Sequence, residues 1–429
     1  MGEHSATLFR GGRIIDPANK RDDVGDLLVV DGRIAAAGGN PPAGAREIDA
    51  SGCWIVPGLI DMHVHLREPG HEYKETIASG CRAAAAGGFV AVACMPNTVP
   101  VNDCATVTAY ILQQAAATGV HVYPVAAISK GSNGKELAEY GELRRAGAVA
   151  VSDDGLPVMN SQLMRRALEY ASNHDLLVIS HAEEASLAHG GVMNEGALST
   201  RLGLRGIPRV AEEIMIYRDI ALSEYSGQRL HIAHVSTAGA VDLIRQAKRR
   251  GCRVTAETAP HYFSLTEEAV AGYNTHAKMN PPLRTQADVE AIKAGLADGS
   301  LDAIATDHAP HGVLEKDVEF DNAANGIIGL ETALPLTLEL VRNGTISAAR
   351  MVELLSVNPA RILGVAGGSL ATGRAADLTV IAPERRYVVE AETIRSKSRN
   401  TPFLGCTLTG RAVLTMVAGR VVHEESINL

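Results

Sequence analysis

Between residues 58 and 307 short apolar runs alternate with helical stretches, and the alternation repeats eight times. The runs are GLIDMHVH (58–65), GFVAVAC (88–94), VHVYPVA (120–126), GAVAVSD (147–153), LLVISH (176–181), RLHIAH (229–234), RVTAET (253–258) and DAIATD (302–307). SQLMRRALEYASNH (161–174) and AGAVDLIRQAKRR (238–250) are examples of the helices between them. Near-continuous apolar strands separated by helices suit a parallel sheet covered on its outside. Eight such units in about 300 residues are the measure of a (β/α)8 TIM barrel, which the sequence predicts over 57–365. An open doubly wound sheet is the alternative. No Gly-x-Gly-x-x-Gly follows the first strand, which weakens its dinucleotide-binding version.

The chain ends read differently. TLFRGGRIID, DLLVVDGRIAAAGG and EIDASGCWIV near the start, and ADLTVIA, RRYVV and RAVLTMVAGRVVHE near the end, carry β-branched runs punctuated by Gly, Asp or Asn. The last contains a Gly-Arg turn. The simplest reading is one small β-sandwich domain assembled from both termini, residues 1–56 and 366–429. The Gly-rich GVAGGSLATGRA (364–375) leads back into it.

Composition narrows the function classes. With 46% hydrophobic and 21% charged residues the chain is neither largely disordered nor a membrane bundle. A net charge of −9 and the absence of a Lys/Arg patch argue against a nucleic-acid partner. The longest basic cluster, Lys248–Arg250, closes a predicted helix, where cations favour the dipole. No apolar run is long enough to span a membrane. MGEHSATLFRGG lacks a signal pattern, and Gly2 is a weak myristoylation match. Six scattered cysteines without Cys-x-x-Cys spacing read as reduced, buried thiols of a cytoplasmic protein.

The strand ends carry the chemistry. Five strands end in metal-ligand residue types: His63 and His65, Asp153 and Asp154, His181, His234, and Asp307. A polar residue after an apolar barrel strand lies at the carboxyl rim, where barrel enzymes work. In His63-Val64-His65 both imidazoles face one side of the strand, forming half of a first-row metal site. Taken alone, the pair could equally be hydrogen-bonded core histidines; the other strand ends favour a metal. His181 and His234, on adjacent strands, point to a second metal position. His231 is expected to face away from it and to be structural. Either Asp153 or Asp154 could bridge two cations, and spacing does not decide between them. A turn into Gly155 suits Asp153 better. Asp307 could ligate metal and accept a proton from its water, whose pKa a metal lowers towards about 7, then return it to a leaving nitrogen. Arg67, Asn97, Asn280 and His311 fall in rim loops and suit an anionic, amide-rich substrate.

PGLIDMHVHLREPG, MPNT, SDDG, ISHAE, HVST, KMNPPLR and ATDHAPH together resemble the dihydroorotases of the bacterial type I class, in the metal-dependent amidohydrolase superfamily. The resemblance spans nearly the whole chain. It implies the reversible interconversion of N-carbamoyl-L-aspartate and L-dihydroorotate in pyrimidine (UMP) biosynthesis, by metal-held hydroxide attacking the ring carbonyl with Asp307 as general base and acid. It implies Zn2+, one or two per subunit with two favoured. His63, His65 and Asp307 hold one ion, and Asp154 bridges to another held by His181 and His234. It implies that His65, Arg67, Asn97, Asn280 and His311 hold substrate, with backbone groups at Asn325-Gly326. There the chain departs from the family, having Ala324-Asn325-Gly326 where Pro-Phe-Gly is usual. The polar stretch 311–326 is expected to order on ligand binding.

Two rivals remain. A hydantoinase or allantoinase shares the barrel and the His-x-His, but its usual bridge is a carboxylated lysine ending strand four, where this chain has Val151-Ser152-Asp153-Asp154. A non-catalytic scaffold for aspartate transcarbamoylase would have lost metal ligands, whereas all six positions are filled here. A homodimer and a complex with aspartate transcarbamoylase are both compatible with catalysis.

Overall fold

The computed structural model describes residues 6–36 and 41–426. Gly2 with the rest of the first five residues, positions 37–39 of the second terminal run, and the last three residues lie outside them. All eight expected barrel strands form, as Leu59–Val64, Phe89–Cys94, His121–Ala126, Ala150–Val151, Leu177–Ser180, Leu230–Ile232, Val254–Thr258 and Ala303–Ile304. Each pairs in parallel with the next. The ring closes between the last and the first: His65 N–H donates to His308 O at 2.8 Å, and Thr306 N–H donates to the buried Asp61 carboxylate at 3.1 Å. Burial holds Asp61 up to about 7, against these hydrogen bonds.

Strand parity divides the apolar residues. Val92, Val122, Val178, Ile232, Val254 and Ile304 join helix residues such as Ile111, Leu168, Ile220 and Ile244 in one large core. Residues of the opposite parity, including Ala91, Ala93, Val125, Ile179 and Ala303, form a second cluster. The helices start and stop on local chemistry. Ser161–Ser172 is capped by Asn160, which accepts from Gln162 and Leu163 N–H, and buries Met164, Ala167, Leu168 and Ala171. Ala238–Arg249 starts at Thr237 and carries Lys248 and Arg249 in its last turn, where Lys248 also pairs with Asp302 at 2.5 Å. Ile77–Ala86 ends at Gly87, where a Cβ would lie 2.1 Å from Leu330 O. Only glycine permits that approach.

Both termini share one sheet. Ala6–Asp16 runs antiparallel to Arg21–Val30, and parallel to Arg46–Asp49 and then Trp54–Pro57. Trp54–Pro57 in turn pairs antiparallel with Leu378–Val388, which pairs with Thr407–Val417, and that with Arg420–Glu424. Phe9, Ile14, Ile55, Val380 and Leu414 form a buried cluster of this sheet's own, and both termini build it, as expected, here as one continuous sheet. Its last hairpin turns through Ala418-Gly419, both at positive φ, so the turn is Ala-Gly and Arg420 already belongs to the strand. His121 Nε2 and Asp377 Oδ2, 3.2 Å apart, tie this sheet to the barrel.

One further expectation is corrected. Cys53, Cys81 and Cys94 are buried and Cys252 is half-buried, but Cys104 and Cys406 are exposed; all six are free thiols. Both exposed cysteines sit in connecting segments, just ahead of the helix Ala105–Ala115 and the strand Thr407–Val417. Among the described residues no helix is long and apolar enough to cross a membrane.

Candidate active site

At the carboxyl ends of the barrel strands the structure draws His63, His65, Asp154, His181, His234 and Asp307 into one buried cluster. His63 Nε2 lies 3.2 Å from Asp154 Oδ1 and 3.6 Å from Asp307 Oδ1. His65 Nε2 lies 3.0 Å from Asp307 Oδ1 and 3.5 Å from Asp154 Oδ2. His234 Nε2 is 3.5 Å, and His181 Nδ1 3.7 Å, from Asp154 Oδ1. His181 Nδ1 and His234 Nε2 lie 2.8 Å apart, so one ring donates its N–H to the other's lone pair. Arg67, His234 and Asp307 all adopt positive φ. Such strain in non-glycine residues concentrates at functional sites.

The sequence left Asp153 and Asp154 open, and the structure separates them. Asp153 accepts from Ser129 N–H at 2.9 Å and from the Ser129 hydroxyl, away from the cluster. Asp154 sits at the cluster's centre. Burial alone would raise its pKa, but His63, His181 and His234 hold it well below the ordinary carboxylate range. Burial likewise opposes charge on His63, yet Asp154 and Asp307 carry it well above the ordinary histidine value.

The donor set fits a divalent first-row cation. Imidazole nitrogens and carboxylate oxygens suit zinc. His63 Nε2 and Asp154 Oδ1 are buried with no hydrogen-bond partner, the state of ligand atoms aimed at an ion. Among the described residues two groups have ligand atoms close enough to share one: His63, His65 and Asp307, and His63, Asp154 and His234. His181 falls in neither group and stands beside His234.

The ligands are oriented from behind. Asn97 Oδ1 takes the His65 Nδ1 proton at 2.8 Å, so Asn97, expected to hold substrate, also fixes which His65 nitrogen faces the cluster. Glu257, which sequence reasoning missed, does the same for His63, with Oε1 at 2.8 Å from Nδ1. Its signal was a glutamate inside a barrel strand, Val254–Thr258, because a buried carboxylate demands a partner. Burial would raise Glu257, but the His231 and His63 rings bring it down to about 2. His231 is thus one carboxylate removed from the cluster: its Nε2 is 3.3 Å from Glu257 Oε2, and its Nδ1 is 2.8 Å from Thr255 Oγ1.

A cavity of about 210 Å3 opens over the cluster, lined among others by Arg67, Asn97, Asn280, His311 and Asn325. Arg67 is buried, its Nε donating to Pro310 O at 3.1 Å, with Nη2 3.3 Å from His311. Asn280 Oδ1 is buried without a partner, an acceptor suited to a substrate N–H. His311 donates from Nε2 to Asn325 O at 2.8 Å, and its Nδ1 faces Lys74 Nζ at 3.4 Å. Burial and the cations Arg67, Lys74 and Lys316 push it down to about 3, so the ring is neutral. Lys74, which also pairs with Glu315 at 2.7 Å, was not singled out from the sequence.

Gly326 is not among the lining residues. Its N–H donates to Lys278 O at 3.0 Å and its carbonyl accepts from Asn400 Nδ2 at 3.0 Å. The surrounding 311–326 stretch contains a short helix, Val313–Lys316. Lys316 Nζ ties it down by donating to Thr275 O at 2.9 Å and Ala324 O at 2.6 Å. Lys278 Nζ makes the reciprocal bond to Phe320 O at 2.7 Å.

A closed parallel barrel whose carboxyl rim gathers four histidines and two aspartates is the architecture of a metal-dependent amidohydrolase. The comparisons narrow the class. Residues 52–240 match the "Dihydro-orotase-like" family model. The chain is 58% identical over 422 residues to a dihydroorotase of Syntrophus aciditrophicus, covering 97% of this chain and 99% of that one. It is 60% identical over 424 residues to a dihydroorotase of Syntrophobacter fumaroxidans, covering 97% of each. Among solved structures, L-hydantoinase (dihydropyrimidinase) from Arthrobacter aurescens superposes with a TM-score of 0.87 at 26% identity, over 99% of this chain and 97% of that one. The chain belongs to the dihydroorotase family of hydrolases.

Proposed function

We propose that the chain is a zinc-dependent dihydroorotase of the bacterial type I class, a cytoplasmic enzyme of de novo pyrimidine biosynthesis. It interconverts N-carbamoyl-L-aspartate and L-dihydroorotate. The observation that carries the reading is the pairing of a buried His/Asp cluster with a cavity that presents Arg67 and the unpartnered Asn280 Oδ1. His63, His65 and Asp307 would hold one zinc and His181 and His234 a second, with Asp154 between them. When bound, zinc would acidify water and polarise the ring carbonyl.

The chain's own groups do the rest. Asp307 accepts the proton released as water adds to the carbonyl, and delivers it to the departing ring nitrogen. Arg67 pairs with the substrate carboxylate and fixes the ring's orientation. Asn280 Oδ1 receives a ring N–H. Neutral His311, its one N–H held by Asn325 O, lines the substrate cavity without adding charge beside Arg67. In the reverse direction the same groups close the ring.

The structural likeness to L-hydantoinase makes a hydantoinase the second reading. Strand four ends in Ser152-Asp153-Asp154, with no lysine to carboxylate, which favours the first. Zinc analysis paired with a dihydroorotate hydrolysis assay, with hydantoin and allantoin as controls, tests the proposal. Zinc with selective dihydroorotate turnover is expected. Zinc with turnover of hydantoin alone would transfer the chain to the second reading.

A further inference from the structure

The stretch Ser396-Lys397-Ser398-Arg399-Asn400 belongs to the carboxyl-terminal part of the chain, between the strands Leu378–Val388 and Thr407–Val417, yet it is bonded to the barrel. The Glu331 carboxylate accepts from Arg395 N–H at 2.9 Å and Ser396 N–H at 3.0 Å. Glu75, fully buried, accepts from Lys397 N–H at 3.1 Å and from the Ser396 hydroxyl. Ser398 Oγ donates to Lys74 O at 2.7 Å. The segment is therefore a strut clamped along the barrel rim.

At its end stands Asn400, 1% exposed. Its amide makes three hydrogen bonds, all to the two loops that carry His311 and Asn325. Oδ1 accepts from His311 N–H at 3.0 Å. Nδ2 donates to Ala309 O at 2.9 Å and to Gly326 O at 3.0 Å. Its backbone carbonyl adds a fourth, accepting from Ile328 N–H at 3.0 Å. One side chain thus joins the loop after strand eight, which carries His311, to the loop that carries Asn325. It sets the distance across which His311 reaches Asn325 O.

We infer that Asn400 is a positioning residue for substrate binding: from the carboxyl-terminal segment it holds His311 and the Asn325-Gly326 loop in the geometry that receives the substrate. This rests on the proposed dihydroorotase reading, in which those groups face dihydroorotate. Asn400 touches no metal-ligand atom and no reacting atom, so its loss acts on substrate affinity.

The test compares zinc-loaded wild type with Asn400→Ala, Asn400→Asp and Ser398→Ala. Asn400→Ala is expected to raise KM for dihydroorotate about 10- to 100-fold, leaving kcat within about threefold and zinc content unchanged. Ser398→Ala, which loosens the strut without touching His311, lowers Tm but leaves KM unchanged. Hydrogen exchange on the unliganded chains gives a readout that needs no activity. Asn400→Ala speeds exchange across 309–312 and 325–327. Asn400→Asp retains the acceptor for His311 N–H but loses both donors, so it speeds exchange at 325–327 while His311 stays protected; it also serves if the alanine variant does not fold. An unchanged KM in a folded Asn400 variant overturns the inference. So does a KM increase in Ser398→Ala matching that of Asn400→Ala at equal loss of Tm, which would make the effect purely structural. If wild type does not turn over dihydroorotate the functional reading fails by itself; the exchange pattern then still decides whether Asn400 holds the two loops.

Discussion

Glu257→Gln isolates the support behind a single ligand. The Glu257 carboxylate lies 2.8 Å from His63 Nδ1, and both residues are buried. The bond keeps the Nδ1 proton on the far side of the ring, so that Nε2 offers its lone pair to the cluster. A hydrogen bond to a charged group contributes about 1.5–3 kcal/mol, roughly twice a neutral one. Glutamine keeps an acceptor of the same length, so the loss is the charged part alone, about 1–1.5 kcal/mol. At 1.4 kcal/mol per decade, zinc affinity should fall about 5- to 10-fold. Competition against a chromophoric chelator at fixed pH measures the affinity, and thermal melting of the metal-free protein confirms that the variant is folded. A folded Glu257→Gln with wild-type zinc affinity would refute the argument that this carboxylate orients a ligand.

Other outcomes follow from the same geometry. With zinc content matched to wild type, Asp307→Asn should bind dihydroorotate but lose about 10²- to 10⁴-fold in kcat; near-normal turnover would remove Asp307 as the proton carrier. Arg67→Lys forfeits the planar fork, and steady-state kinetics should show KM raised about 10- to 100-fold with a smaller change in kcat. The hydrogen bond to Asp377 raises the His121 pKa above its ordinary value, against partial burial. A raised folded value means the pair stabilises fully below the unfolded pKa of about 6.5 and fades as pH rises through the folded value. With the His121 side chain 40% exposed, the effect should stay below about 1 kcal/mol, and urea melts of His121→Ala against wild type should converge at alkaline pH. Gly87→Ala drives a Cβ to within 2.1 Å of Leu330 O, which should cost about 1–3 kcal/mol, read as a lower Tm; an unchanged Tm would mean that the Leu330 turn yields freely.

The barrel was legible because its strands are continuous apolar runs that end in polar residues, a pattern burial on both faces imposes. What the pattern overstated was length. Residues 147–153 and 302–307 read as whole strands, but only Ala150–Val151 and Ala303–Ile304 pair. The chain leaves the ladder at those ends to present Asp154 and Asp307, the latter at positive φ. Of the site, the His-x-His pair and the strand-end histidines were visible because ligand types are rare in such positions. The choice between Asp153 and Asp154 was not, since adjacent residues differ only in which partner the backbone turns them toward, and Ser129 lies on another strand's loop. Asn400 was invisible for a stronger reason: a polar residue in a polar loop carries no signal until folding brings it beneath His311.

The pairing of Trp54–Pro57 with Leu378–Val388 also dictates an order of events during synthesis. Emerging at about 5–20 residues per second, the amino-terminal strands leave the ribosome on the order of tens of seconds before their partners exist. Throughout that interval Trp54–Pro57 presents an open edge, the feature of a sheet most prone to pairing with a stranger. The barrel must therefore assemble on a chain whose first segment is unfinished, and Leu378–Val388, made after the whole barrel, is the strand that covers its edge. A truncation from Leu378 onward would keep all six cluster residues, His63 to Asp307, in sequence while returning the nascent edge to solvent for good.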